Sequence, residues 1–198
     1  MTTLEIRPRD TVSPIPDTVA AEAAARDFLA ALGVDADTPG TLETPGRMAR
    51  AWAEMLTPRE FEMTTFPNDE GYDELVVVGD IPVQSLCEHH MLPFTGAAHV
   101  GYLPGDRILG LSKFARVVEM FARRPQVQER LTRQVADWLD EHLAPRGVGV
   151  VIEAGHSCMS LRGARATGAL TRTTALSGEL RSDAALRAEF LSSVGGAR

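Results

Sequence analysis

The sequence predicts an α+β fold in which an antiparallel sheet carries a helical hairpin on one face. Two neighbouring segments, 112–124 and 125–144, repeat apolar residues at helical spacing, and segments of β character lie before and after them. One hairpin between two groups of strands is too little helix for a series of βαβ units, so the sheet is predicted to be antiparallel. A helical pair is predicted ahead of this body, near the start of the chain.

The first 60 residues contain a tail and this helical pair. Residues 1–16 hold three prolines and show no apolar periodicity, which is typical of a disordered segment. The alanine-rich stretch that follows favours a helix capped by Asp17 or Thr18, and Thr44 with Pro45 predicts the N-cap and first turn of a second helix. We therefore divide the chain into a disordered tail (1–16), an N-terminal helical segment (17–60) and a main domain (61–198).

The main domain is predicted to contain both the strands and the hairpin. Ser112 is predicted as the N-cap of the first hairpin helix, and Pro125 is predicted to end that helix and open the next. A short helix over 182–193 closes the chain. The predicted strands are 75–78, a pair at 97–104 and 107–110 around the Pro104–Gly105 turn, 147–156 and 168–178.

Charge and composition exclude several classes of protein. The 198 residues include 20 Lys and Arg against 27 Asp and Glu, a formal net charge of −7, which argues against binding to nucleic acids or anionic membranes. Two cysteines are too few for a disulfide scaffold. The N-terminus lacks the apolar segment of a signal peptide, and no stretch is apolar enough to cross a membrane. We expect a cytoplasmic protein.

The two cysteines predict a metal site. Cys87 begins the string CEHH, so its thiolate and the imidazole of His90 lie three residues apart, a spacing that suits a shared zinc ion. Cys158 follows a predicted strand and lies two residues after His156. The competing interpretations are a disulfide, two inert core thiols, and a four-ligand structural zinc site with His89 or His156 as the fourth ligand.

We favour a three-ligand site formed by Cys87, His90 and Cys158. Such a site leaves one tetrahedral position for water, whose pKa a zinc ion lowers towards neutrality, so the site would be catalytic rather than structural. His89 and His156 then stay unligated beside the metal. Imidazoles titrate in the range that suits proton transfer, so these two histidines are candidate catalytic residues.

A second group of residues predicts a pocket for an anion. Its members are Ser112, Lys113, Arg116, Arg162 and Arg47. Ser112 and Lys113 open a predicted helix, where free N–H groups and the helix dipole favour negative charge. Solvated surface charge is the alternative for each residue alone, but for the set we favour phosphate binding. Gln128 and Glu129, early in the next helix, are candidates for reading a base edge, although a glutamate there also compensates the helix dipole.

Three strings resemble the GTP cyclohydrolase I family: CEHHMLPF, HVGYLPGDRILGLSKFARVVEMFARRPQVQERLT and EAGHSCMSLRG. The resemblance spans residues 40–180 and implies a tunnelling fold (T-fold), in which sheets and helical hairpins of several subunits close into a barrel. It also implies a homodecamer with active sites at subunit interfaces. The implied reaction opens the imidazole ring of GTP with water, releases formate and yields 7,8-dihydroneopterin triphosphate, the entry to tetrahydrofolate and other pterins.

The resemblance also implies a role for each candidate residue. Cys87, His90 and Cys158 would hold Zn²⁺, which would activate the water that attacks carbon 8 of guanine. His156 would protonate the ring nitrogen as the ring opens, and His89 would serve later proton transfers. The remaining roles are Ser112 at the ribose, Lys113, Arg116, Arg162 and Arg47 at the triphosphate, and Gln128 and Glu129 at guanine.

The chain departs from the family pattern after Arg162 and Gly163, where Ala164 and Ala166 stand in place of the usual aliphatic residue and lysine. This departure favours one alternative, a zinc- and nucleotide-binding homologue that has lost catalysis and acts as a regulator. A second alternative is a nitrile reductase of the same superfamily, which uses a cysteine nucleophile with NADPH and does not need the Cys-x-x-His pair. Metal analysis separates that enzyme from the hydrolase.

Overall fold

Helices and strands follow one another along residues 2–4 and 15–195, the part of the chain that this computed structural model describes. The strands are β1 (Thr2–Leu4), β2 (Met63–Pro67), β3 (Val76–Cys87), β4 (Pro93–Leu103), β5 (Arg107–Leu109), β6 (Pro125–Gln126), β7 (Gly147–His156) and β8 (Leu170–Leu176). The helices are α1 (Thr18–Ala31), α2 (Thr44–Leu56), α3 (Ser112–Ala122), α4 (Gln128–Leu143), α5 (Ser157–Ser160), α6 (Gly178–Ser182) and α7 (Ala184–Ser193).

A five-stranded sheet with the order β6-β3-β4-β7-β8 forms the centre of the chain. The neighbours β3, β4, β7 and β8 are all antiparallel, and only the two-residue strand β6 is parallel to β3. The predicted α+β class with an antiparallel sheet is therefore confirmed.

A smaller sheet with the order β1-β2-β5 corrects two predictions. The strands predicted on either side of the Pro104–Gly105 turn both exist, but β5 pairs with β2 and not with β4. The reason is that β3 and β7 already occupy both edges of β4. Thr2–Leu4 pairs with β2, so these three residues do not belong to a disordered tail, which was predicted for 1–16. Residues 1 and 5–14 of that predicted tail lie outside the described residues.

Helices α3 and α4 cover one face of the central sheet and enclose the main core. The spacing that predicts α3 also gives its buried face, which consists of Phe114, Val117, Val118 and Phe121. Leu131, Val135 and Leu139 of α4 are fully buried, and α4 packs on the strands β7 and β8. The predicted hairpin therefore lies on one face of the sheet, as expected.

Phe190 of α7 covers the opposite face at one end of the sheet. Its ring lies against Gly101 of β4 and Gly149 of β7, which are register partners. A methyl group on Gly149 would lie 2.5 Å from Phe190 Cε1, so a side chain at this position would push the ring away from the sheet.

The ends of the helices agree only partly with prediction. Asp17 caps α1, since its carboxylate accepts the N–H groups of Val19 and Ala20. The N-caps predicted at Thr44 and Ser112 were wrong, because each is already the first helical residue and its helix has no side-chain cap. Pro125 lies in β6 and does not open α4. Within the described residues, no helix has the length and apolar character needed to cross a membrane.

Candidate metal and nucleotide site

The first half of the site is a tight turn at the end of β3. The Cys87 N–H donates to the Leu92 carbonyl (2.8 Å), and the Met91 N–H donates to the Cys87 carbonyl (2.7 Å). Met91 has a φ of +54°, which lies in the left-handed region that residues other than glycine rarely adopt. This turn folds the chain back on itself, so His90 returns to the side of Cys87.

The second half lies at the end of β7, two strands away in the sheet. β4 separates β3 from β7, and Phe94 at the start of β4 is the register partner of His156 at the end of β7. Helix α5 follows directly and carries Cys158. Sheet topology thus brings together two segments that are far apart in the sequence.

Cys87, His90 and Cys158 converge on one point. Their three ligand atoms, two thiol sulfurs and one ring nitrogen, all lie within 4.8 Å of one another. Cys87 is buried, Cys158 is half-buried and His90 is exposed, so the cluster opens towards the surface. Both cysteines are free, so the disulfide interpretation is not supported.

The chemistry of this donor set fits a zinc ion. Two sulfurs and an imidazole nitrogen are ligands that zinc prefers, and three protein ligands leave a fourth position for solvent. Burial raises the pKa of the Cys158 thiol above its ordinary value of 9.0, and the neighbouring Cys87 raises it further, while Arg162 lowers it. The Cys158 thiol therefore resists ionisation on its own, and a cation is the group that would stabilise its thiolate.

An ion pair ties the turn after β3 to helix α4. The Glu88 carboxylate accepts from the Arg130 guanidinium, whose Nε also donates to Gln126 Oε1 at 2.8 Å. The bond to Arg130 lowers the pKa of Glu88. Gln126 is fully buried and donates to the Phe121 carbonyl (2.9 Å), so this network extends from the turn into the core.

Two further predicted residues lie beside the ligands. His89 Nδ1 is 3.8 Å from Cys87 Sγ, and Arg162 Nη1 is 3.3 Å from His90 Nε2. His89 and Arg162 are both exposed. An imidazole and a guanidinium therefore face solvent next to the candidate metal position.

His156 is held by its neighbours on two sides. Its ring stacks on Phe94 with centroids 4.5 Å apart and planes only 9° from parallel. Its Nε2 is 2.8 Å from Gln128 Oε1. Burial lowers the pKa of His156 below its ordinary value of 6.5, although the nearby Glu129 carboxylate raises it. The imidazole is thus held between a stacked aromatic ring and a hydrogen bond.

The predicted anion-binding residues are only partly brought together. Among the described residues, Ser112, Lys113, Arg116 and Arg47 make no hydrogen bond or ion pair with the metal cluster. Arg116 instead lies 3.5 Å from the Glu119 carboxylate. The first turn of α3 also offers fewer free N–H groups than predicted, because Lys113 donates to the Gly110 carbonyl (2.8 Å).

Gln128 and Glu129 are adjacent in sequence but differ in environment. Gln128 is only 1% exposed and its amide is bonded within the chain, a placement that does not favour the predicted reading of a base. Glu129 is exposed and lines a cavity of about 420 Å³ between α4 and β8, together with Arg133 and Arg187.

Sequence reasoning missed the supporting residues of the site. Phe94 stacks on His156, and Arg130 holds Glu88. Phe94 lies within the string CEHHMLPF, but an aromatic residue at a strand start gives no sign of its partner. These contacts depend on strand register and helix packing, which the local pattern does not contain.

Comparison with known proteins identifies one family over most of the chain. A model of the family described as GTP cyclohydrolase I matches residues 21–195. GTP cyclohydrolase 1 of Mycobacterium ulcerans is 50% identical over 198 residues, which cover 96% of this chain and 97% of that protein. The Aquifex aeolicus protein of the same name is 53% identical over 173 residues (87% of this chain, 94% of that protein). That of Streptomyces griseus is 55% identical over 179 residues (87% and 88%).

Proposed function

The chain belongs to the GTP cyclohydrolase I family, and from that premise we propose that it opens the imidazole ring of GTP. The products are formate and 7,8-dihydroneopterin triphosphate, with one water consumed overall. The convergence of Cys87, His90 and Cys158 within 4.8 Å is the observation that carries this proposal. Relatives that are about 50% identical and carry the name of the enzyme favour the hydrolase over a non-catalytic homologue.

The metal in this proposal is zinc, held by Cys87, His90 and Cys158. When bound, it supplies an acidified water as nucleophile for carbon 8 and stabilises the charge that develops there. The fit of two sulfurs and one nitrogen supports zinc over Mg²⁺ or Ca²⁺, which take oxygen ligands.

Two histidines move protons in the proposed reaction. His156 lies beside the cluster, and its ring is held by Phe94 and Gln128. It is therefore suited to donate a proton to the guanine ring nitrogen as the bond between that nitrogen and carbon 8 breaks. His89 is exposed and touches Cys87 Sγ, a position that suits the later proton transfers of the ribose rearrangement. Ser112 is proposed to assist at the ribose.

The cations orient the substrate. Arg162 lies against His90, close enough for the triphosphate and the reacting ring to be held at the same site. We place Lys113, Arg116 and Arg47 at the triphosphate as well, and the exposed Glu129 carboxylate at the N–H edge of guanine. A carboxylate that accepts from two N–H groups of guanine discriminates against adenine, which lacks that edge.

The active assembly is proposed to be a cytoplasmic homodecamer with sites at subunit interfaces. Ser112, Lys113, Arg116 and Arg47 do not contact the metal cluster of their own chain, which supports their action at a neighbouring one. Phe28 and Leu32 of α1 are 58% and 64% exposed, an apolar surface that a partner subunit would cover. Light scattering should therefore give about ten times the chain mass of 21.4 kDa.

The test of the proposed function is anaerobic incubation of the zinc-loaded protein with GTP. We expect one formate per GTP consumed, and a fluorescent pterin after oxidation with iodine. Assembled, zinc-loaded protein that leaves GTP intact would contradict the proposal. ATP serves as the control substrate, because it presents no matching edge to Glu129.

A further inference from the structure

Gln128 is a buried polar side chain whose every hydrogen-bonding group has a partner. Its Nε2 donates towards the Ile152 carbonyl (3.0 Å), the Thr171 carbonyl (2.9 Å) and Thr173 Oγ1 (3.1 Å). Its Oε1 is 2.8 Å from His156 Nε2. These bonds join the first residue of α4 to β7 and β8 and to the candidate catalytic histidine.

The orientation of this amide is fixed by its surroundings. Exchanging Oε1 and Nε2 would place an oxygen against the carbonyl oxygens of Ile152 and Thr171, and two acceptors cannot bond each other. The nitrogen therefore faces the strands and Oε1 faces His156. Thr132 supports this arrangement, because its hydroxyl donates to the Gln128 carbonyl (2.8 Å) and lies 2.6 Å from Thr173 Oγ1.

The fixed amide in turn decides the tautomer of His156. Oε1 can only accept, so the His156 Nε2 that faces it must carry the hydrogen. In a neutral imidazole, Nδ1 is then the nitrogen with a free lone pair. Within the described ranges, 2–4 and 15–195, Nδ1 makes no hydrogen bond. The stacked ring of Phe94 prevents the imidazole from turning over easily.

We propose that Gln128 is a positioning residue that holds His156 in the Nε2–H tautomer. Nδ1 is then left to accept a proton from the attacking water and to pass it to the guanine ring nitrogen. This inference rests on the proposed function for the reaction in which His156 acts. It differs from the role in guanine recognition that the sequence predicts for Gln128. A base-reading amide must be free to bond a ligand, whereas Gln128 is 1% exposed and fully bonded.

Steady-state kinetics of Gln128→Met in the zinc-loaded, full-length protein separate the two roles. Methionine keeps the length of the side chain and removes its hydrogen bonds. We expect kcat to fall by about 10- to 100-fold, since general acid–base catalysis contributes roughly 10²–10⁴ and the histidine itself remains. KM for GTP should change by less than about 2-fold, because the base contact is made elsewhere. Glu129→Gln is the matched control, and it should raise KM.

A double-mutant cycle tests whether the effect passes through His156. If it does, adding Gln128→Met to a His156→Ala protein should lower kcat no further. A merely structural role would reduce kcat by the same factor in both backgrounds and would overturn the inference. A rise in KM at constant kcat in Gln128→Met would overturn it as well, by returning Gln128 to guanine recognition.

A spectroscopic measurement makes the inference independent of activity. In protein labelled with ¹⁵N-histidine, studied by solid-state NMR at about pH 8, the His156 ring should show a protonated Nε2 and an unprotonated Nδ1; its signals are identified by their loss in His156→Ala. Gln128→Met should give the other tautomer or a mixture. A wild-type His156 protonated at Nδ1 would refute the inference. The wild-type turnover of GTP tests the proposed function separately.

Discussion

Replacing Gly96 by alanine should separate β4 from β7, the strand that leads to His156 and Cys158. Gly96 in β4 is the register partner of Ala154 in β7. A Cβ on Gly96 would lie 1.9 Å from the Glu153 carbonyl oxygen and 2.6 Å from Ala154 Cα. Carbon atoms in good contact are about 3.5–4.0 Å apart. The strands would therefore have to move apart by roughly 1 Å, because a backbone cannot rotate out of the way as a side chain can.

The expected cost is large for one methyl group. Overpacking costs about 1–3 kcal/mol when side chains can adjust. Here the clash is with backbone, and a weakened β4–β7 ladder loses about 1 kcal/mol for each hydrogen bond. We expect Gly96→Ala to lower the free energy of unfolding by at least about 3 kcal/mol. Zinc content should also fall, since Phe94 and His156 end the same ladder.

Gly155→Ala is the matched control. A Cβ there would only meet Leu170 Cδ2 at 3.7 Å, an ordinary contact, and Gly155 does not have a positive φ. Its free energy of unfolding should stay within about 0.5 kcal/mol of the wild type. Urea midpoints measured on zinc-loaded proteins give the comparison. Equal midpoints for the two variants would refute the reasoning from close strand approach.

Three further predictions concern the ligands, the triphosphate and acid stability. Cys158→Ala should lose zinc by elemental analysis while Met159→Ala keeps it; retained zinc in Cys158→Ala would exclude that thiol as a ligand. Arg162→Ala should keep zinc but raise KM for GTP by about 10-fold or more, because the variant loses one charged hydrogen bond to the triphosphate. An unchanged KM would show that Arg162 does not bind the triphosphate. Burial raises the pKa of Glu119, but Arg59 and two other arginines outweigh it and the net pKa lies below 4.5. This carboxylate therefore stabilises the fold above about pH 4.5 and loses that effect as pH falls through its lowered pKa. The difference in urea midpoint between wild type and Glu119→Gln should shrink on acidification, and a constant difference would contradict this.

The sequence predicted those parts of the structure that follow from local patterns. Apolar spacing located α3 and its buried face, because a helix repeats every 3.6 residues wherever it packs. The strand at 147–156 matches β7 residue for residue. The clustering of Cys87, His90 and Cys158 was predicted from residue type and spacing, because few side chains offer soft metal ligands.

Features that depend on packing at a distance were not predicted. The sequence predicts β5 as a strand that follows a turn, but it does not show which strand β5 pairs with. Both edges of β4 are occupied by other strands, so β5 pairs with β2. Gln128 has an amide that could bond a base edge, but the side chain is buried beneath β7 and β8. There it donates to the carbonyls of Ile152 and Thr171. Ser112 was predicted as the N-cap of α3, but the N-cap is the preceding residue, Leu111. The exact start of a helix depends on backbone angles, which composition does not determine.

X-ray absorption at the zinc edge tests the central claim most directly, because it reports the atoms bound to the metal. For protein reconstituted with one zinc per chain, the account predicts two sulfur neighbours at about 2.3 Å and two nitrogen or oxygen neighbours at about 2.0–2.1 Å. Cys87→Ala, reconstituted in the same way, should retain no zinc, as predicted for Cys158→Ala. A spectrum without zinc–sulfur scattering would contradict the claim that Cys87, His90 and Cys158 form the metal site.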